Sequence, residues 1–313
     1  MPYLQNGTPD TGIVDGACCR SGTFLCLHIG GYGESSQEFE CQEEKIALVF
    51  VFLRPFYDDK MKITLLGTGT SQGVPVVGCH CEVCQSADPR DARLRTSAFV
   101  EVDGTRILID AGPDLRQQML RNQITMVDAI VVTHEHKDHL AGLDDIRPVY
   151  FRKKAPIEIY GLQRVLNVIR KDYDYAFKPH PYPGVPSLHL NPIKDDPFEV
   201  NGITIQPIHV RHLTLPILGY RIGPFAYITD ASFIPETELN KLAGIKVLII
   251  NALRIKEHYS HFNLAQALGI VERLHPEHAY ITHISHEMGL CSEVEKQLPE
   301  NVSLGADGMV IEV

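Results

Sequence analysis

Residues 128–139 read DAIVVTHEHKDH, a short apolar run followed by four groups able to hold a metal within six positions: His134, His136, Asp138 and His139. The run has strand character and the HLAGLDDI that follows has helical character, so the motif lies on a strand-loop-helix junction. In extended backbone His134 and His136 point to one side, and a turn at Lys137 sends Asp138 and His139 to the other. Two diverging donor sets suit two ions. Imidazole and carboxylate donors suit zinc, manganese or iron. The alternative is a solvent-exposed His/Asp loop, for which four donors in six residues at a strand end is an unusual density.

Outward from this motif the chain is regularly patterned only from Met61. MKITLLGTG opens with a strand, Asp103-Gly104 and Asn201-Gly202 are two-residue hairpin turns, and the runs DAIVVT, IEIY, FAYITD, KVLII and HAYIT alternate with helical stretches at 114–122, 162–171 and 263–274. Asp114 and Asn263 are plausible N-caps. Hairpins early in each half, then strand-helix alternation, imply an α/β fold of two mixed sheets packed face to face with helices outside, a four-layer αββα sandwich. Residues 1–60 hold Cys18, Cys19, Cys26 and Cys41 without period or ligand spacing. They are read as an appendage of doubtful structure, or the product of a start codon placed too early, before a folded domain at 61–313.

Composition narrows the function. With 44% hydrophobic and 22% charged residues in 313, the chain is neither disordered, collagen-like nor coiled coil. The apolar run at 46–53 stops at Arg54 and Pro55, short of the roughly 20 residues that span a bilayer. No membrane partner is expected. A formal charge of −10 argues against holding polynucleotide through a basic surface; a small substrate fits better, and a homodimer is compatible with the sequence. Fifteen histidines are abundant for a chain with no tryptophan. Eight cysteines without a recognisable secretory signal point to a reducing cytoplasm, where clustered thiols bind metal more often than they bridge.

Cys79, Cys81 and Cys84 form such a cluster, C-x-C-x-x-C, able to converge on one ion that still lacks a fourth ligand. His80 is too constrained by its coordinating neighbours; the sulfurs alone do not choose among the other histidines. Gly67, Gly69 and Gly73 have the wrong spacing for a dinucleotide site and read as turn glycines. Arg152-Lys153-Lys154 reads as a solvated basic run.

The motif H-x-H-x-D-H resembles the metallo-β-lactamase superfamily of binuclear hydrolases. GTGTSQGVP, C-x-C-x-x-C, THEHKDH, THISH and the closing GADGM together resemble its PhnP family of phosphoribosyl cyclic phosphodiesterases, over nearly all of 61–313. The resemblance implies a sandwich of the metallo-β-lactamase type with His134, His136 and His212 on one ion, Asp138, His139 and His283 on the other, and Asp230 between them. His209 competes with His212, but lies inside a strand-like stretch where a satisfied core histidine is common. The resemblance also implies a structural zinc on Cys79, Cys81, Cys84 and His286, and a histidine near the leaving group, His261, as general acid. Asp138 and Asp230 would serve catalysis as well as ligation. Two catalytic ions, zinc or manganese, would lower the pKa of a shared water and supply a bridging hydroxide. The expected substrate is a small ribose or nucleotide phosphodiester, cyclic forms included. The alternatives are tRNA 3′-processing, for which no basic arm is evident, lactone or thioester hydrolysis at the same ions, and a metal-binding scaffold without turnover.

Overall fold

The computed structural model describes residues 61–179 and 184–313; the expectations for residues 1–60 fall outside them. Strand β1 (Lys62–Gly67) pairs antiparallel with β2 (Ser97–Val102), which turns through Asp103-Gly104 into β3 (Thr105–Ile109). Both turn residues have positive φ, 48° and 74°, as the tight hairpin requires. The sheet then continues in parallel through β4 (Ala129–Val131), β5 (Ile157–Gly161) and β6 (Leu188–Pro192). The second sheet repeats the plan. β7 (Phe198–Val200) turns at Asn201-Gly202 into β8 (Ile203–His212), β9 (Leu215–Ile222) and β10 (Phe225–Ile228) follow antiparallel, and β11 (Val247–Asn251), β12 (His278–Thr282) and β13 (Val302–Leu304) are parallel. β14 (Val310–Glu312) returns to the edge of the first sheet beside β1.

Alternation along the strands gives each sheet two apolar faces and hence three cores. Between the sheets, Ile63, Leu65, Ile107 and Val131 share one core with Tyr220, Phe225, Tyr227 and Ile249. Outside the first sheet, Leu115 and Met119 of the helix Leu115–Arg121 and Val165 and Ile169 of the helix Gln163–Asp172 cover Leu108, Ile130 and Ile159. Outside the second, the helices Glu236–Lys241 and Leu264–Leu274 cover Leu248, Ile250 and Ile281. The αββα sandwich implied by the sequence is therefore the fold. No helix among the described residues is long and apolar enough to cross a membrane.

Local chemistry differs from expectation at two places. Asn263 caps the helix Leu264–Leu274 through a capping box with Gln266, but Asp114 does not cap the helix that follows it. Its carboxylate accepts instead from the Arg95 amide at 2.8 Å and guanidinium at 3.0 Å, because a charged donor outcompetes a helix-end amide. The basic run at 152–154 closes a helix, Arg147–Lys153, that the sequence pattern did not separate from its surroundings. Arg152 and Lys153 donate to the carbonyls of Thr125 and Asp128 on the approach to β4.

Close backbone contact sets the exit of β3 against the short helix Lys137–Leu140. Ala111 donates its amide to the His139 carbonyl at 2.8 Å and Gly142 donates to Ala111 at 2.9 Å. A Cβ on Gly142 would lie 1.8 Å from the Gly112 carbonyl oxygen, so only glycine fits. Gly142→Ala should lower unfolding stability by about 2 to 3 kcal/mol or more in a urea titration. Gly269→Ala, in the helix Leu264–Leu274 with nothing within 4 Å, should raise it by about 0.5 to 1 kcal/mol. Equal effects would refute this account of the packing.

Candidate metal centre

The carboxyl ends of β3, β4, β10 and β12 all reach one edge of the sandwich, where Asp110, His134, Asp230 and His283 follow them. Three of these residues leave their strands in the left-handed region: Asp110 with φ 62°, Asp230 with φ 57° and His283 with φ 55°. Such conformations cost about 1 to 3 kcal/mol each and persist where surrounding structure imposes them. Here they turn the side chains off the sheet edge toward one another.

Asp138, His139, Asp230 and His283 offer ligand atoms all within 4.8 Å of one another. A second group with the same spacing comprises His212, Asp230 and His261. Asp230 belongs to both. The imidazole of His134 lies 4.6 Å from that of His136 and 5.9 Å from that of His212, ring centre to ring centre, and its Nε2 is 3.9 Å from the Asp230 carboxylate. Thus the expected residues of the paired site meet in one place. His209 does not: its Nε2 lies 3.1 Å from the carboxylate of Asp195, away from this cluster.

Hydrogen bonds settle which ring nitrogens are free. His139 donates Nδ1–H to Asp110 at 2.7 Å, His212 donates to the Ser260 carbonyl at 2.8 Å, and His134 bonds Thr133 Oγ at 3.0 Å, which in turn donates to Asp110. With Nδ1 so engaged, each ring turns its Nε2 lone pair to the common centre. Nε2 of His134 and His139, both ring nitrogens of His283 and Nδ1 of His261 are buried without a hydrogen-bond partner. Unpaired buried nitrogens are rare in folded proteins, and convergent ones beside buried carboxylates have the donor chemistry that divalent cations take. The residues fit the group.

The charges respond accordingly. Burial favours the neutral form of Asp230, but His283 and His139 outweigh it and hold the carboxyl well below its usual range. Burial is likewise overcome at His283, where Asp230 and Asp138 push the imidazole up to about 9. At His134 burial and the neighbouring His139 push the same way, well below the usual value. Without metal, His139 and His283 supply the positive charge the carboxylates need; bound cations would take over that role and displace those protons.

Asp110 was not singled out in the sequence. It is fully buried, and accepts from the Thr133 amide and hydroxyl at 2.8 Å as well as from His139. Its one signal is positional, since it ends the apolar run RILI as Asp230 ends FAYIT. Ser260 carried no signal, because its contribution is a backbone carbonyl.

The cysteine loop lies beside this edge. Sγ of Cys79, Cys81 and Cys84 are 3.3, 3.3 and 3.5 Å from His286 Nδ1, a Cys₃His set of the kind that closes around zinc. His286 follows His283 by three positions, and the residue after His283 is tied to the turn after β1: the Thr70 amide donates to the Ile284 carbonyl at 3.0 Å and the Ile284 amide to the Thr68 carbonyl at 2.9 Å.

The sequence family described as the beta-lactamase superfamily domain matches residues 105–284. The chain belongs to that superfamily. Among solved structures, one described as a new diphosphatase from the PhnP family is 39% identical, with a TM-score of 0.77, and the match covers 81% of this chain and 97% of that one. Human tRNase Z, short form, shares the fold at 19% identity and a TM-score of 0.59. An octanoyltransferase of Porphyromonas gingivalis is 44% identical over 252 residues, 80% of this chain and 51% of that protein. The chain thus spans about half the length of that curated relative, and the transferase name belongs to the longer protein. This superfamily member is PhnP-like and, by fold, relatives and clustered donors, a metal-dependent hydrolase.

The thiol cluster makes a pH-dependent prediction. The Cys84 amide and His286 stabilise the Cys81 thiolate and lower its pKa to about 6, whereas burial pushes Cys84 up to about 11. In metal-free protein, alkylation of Cys81 by iodoacetamide should therefore rise through pH 6 and level off by neutrality, while Cys84 reacts only in strong alkali. Zinc should suppress both. Equal reactivity of the two thiols at pH 7 would contradict this electrostatic picture.

Proposed function

We propose that the chain hydrolyses small ribose or nucleotide phosphodiesters, cyclic forms included, at a two-metal centre. His134, His136 and His212 would hold one ion, Asp138, His139 and His283 the other, with Asp230 between; Cys79, Cys81, Cys84 and His286 would hold a separate zinc. The observation that carries this reading is the position of Asp230, whose carboxylate lies within 4.8 Å of ligand atoms of Asp138, His139 and His283 and of His212, and 3.9 Å from His134 Nε2. A bound ion pair supplies an acidified water and an electrostatic clamp on attacking and leaving oxygens. The PhnP-family diphosphatase at 39% identity supports a phosphorus-centred substrate. The likeness to tRNase Z is one of fold alone, and the octanoyltransferase name belongs to a protein of which this chain spans 51%.

The chain's own residues prepare this chemistry. Asp110, Thr133 and the Ser260 carbonyl fix three imidazole orientations in advance, so no reorganisation is needed when substrate arrives. Burial keeps water from competing for Asp230 and for the buried rings. His261 stands 4.8 Å from His283 and 4.6 Å from His212, ring to ring. Burial, then His283, lowers its pKa to about 3 in the free chain, so at neutral pH the ring is unprotonated until an anion binds. A phosphodiester's negative charge favours the imidazolium, which can then give its proton to the departing alkoxide. The low pKa of the free chain opposes the acid role, so His261 would act as general acid only where the bound phosphodiester raises its pKa toward neutrality.

Two variants test the scheme. Asp230→Ala should cut turnover at least roughly 10³-fold, about 4 kcal/mol of barrier, and lower bound metal; full turnover in this variant would end the two-metal reading. His261→Ala should cost roughly 10² to 10⁴ on alkyl phosphodiesters but less than about tenfold on p-nitrophenyl esters, whose leaving group needs no proton. Equal losses on both esters would remove the acid role.

A further inference from the structure

Of eight large hydrophobic side chains exposed among the described residues, four stand on the loops of the metal centre. Leu213 follows His212, Phe233 lies three positions beyond Asp230, and Ile255 and Tyr259 precede His261. Apolar surface concentrated beside a polar centre marks a ligand-contacting rim more than chance exposure does. Tyr259 is the most open of the four, at 76%.

Its position is defined by a row of rings. His283 stacks with His261 at 4.8 Å and 28°, His261 with His258 at 5.3 Å and 25°, and His258 with Tyr259 at 4.4 Å and 29°. Along these neighbouring rings burial falls from His283, which is buried, through the half-buried His261 and His258 to the exposed ring of Tyr259. The loop beneath it is held in place: Arg254 donates to the Lys256 and Glu257 carbonyls and to the Glu287 carboxylate, and His258 Nδ1 accepts from the Ser260 amide at 3.3 Å. A pre-set aromatic face binds a planar group without ordering cost.

We propose that Tyr259, backed by His258, is the stacking platform for the base of a nucleoside phosphate whose phosphate lies at the metal centre. This rests on the phosphodiesterase reading and narrows its substrates from ribose phosphates at large to nucleotides. Stacking reads the π-face of any base, so the platform favours nucleotides without choosing among bases.

The test compares adenosine 5′-monophosphate with ribose 5-phosphate in calorimetric titrations of the zinc-loaded chain, alongside turnover of adenosine 2′,3′-cyclic phosphate and of the 2,3-cyclic phosphate of methyl riboside. The intact protein should bind the nucleotide roughly 10- to 100-fold more tightly than the sugar phosphate. Tyr259→Ala should bring that ratio close to one without weakening ribose 5-phosphate, and raise KM for the adenosine ester alone while kcat holds. Tyr259→Phe should retain the preference. An unchanged ratio in Tyr259→Ala, or no preference in the intact protein, overturns the platform even if both esters are hydrolysed. A preserved preference with neither ester hydrolysed overturns the phosphodiesterase reading instead and leaves the base site standing.

Discussion

A carboxylate removed from water must be matched by positive charge and hydrogen bonds, and Asp110 and Asp230 impose that demand on the catalytic edge. Asp110 meets it with His139 and both donors of Thr133. Asp230 meets it only in part, with His139 and His283 at 3.3 and 3.1 Å and a single side-chain hydrogen bond from Thr229. The remaining deficit faces His134 Nε2, which has no hydrogen-bond partner and lies 3.9 Å away, and a divalent ion would satisfy acid and imidazole together.

The sandwich exists at this edge because two half-sheets are tied across their strand ends. Tyr220 reaches from the second sheet to the Val132 carbonyl at 2.6 Å, and the Leu218 amide donates to Thr133, so the strand entering the histidine motif is clamped from the opposite sheet. Asp307 in the closing GADGM segment performs the matching task on the first sheet, accepting from the amides of Thr68 and Leu94 at 2.9 and 2.7 Å. The chain's end thereby braces the turn from which the cysteine loop departs.

The parts of this architecture that depend on local pattern were readable in the sequence. Two hairpins follow from Asp-Gly and Asn-Gly, the helix at 264–274 from its cap, and His134 through His139 from ligand density on a strand end. The choice of His212 over His209 needed only strand position, and the geometry separates them. What escaped were relations between distant segments. Asp110 acts through His139, which lies 29 positions later, and Ser260 through a carbonyl that carries no side-chain signature. Asp114 resembled a cap because Arg95, its true partner, is adjacent only after folding.

Anomalous diffraction at the zinc edge from crystals of the zinc-loaded chain tests the central claim most directly. The account predicts two peaks about 3.5 to 4 Å apart on either side of Asp230, with a third among Cys79, Cys81, Cys84 and His286. A centre holding no ion at Asp230, or ions bound only on surface histidines, would contradict it.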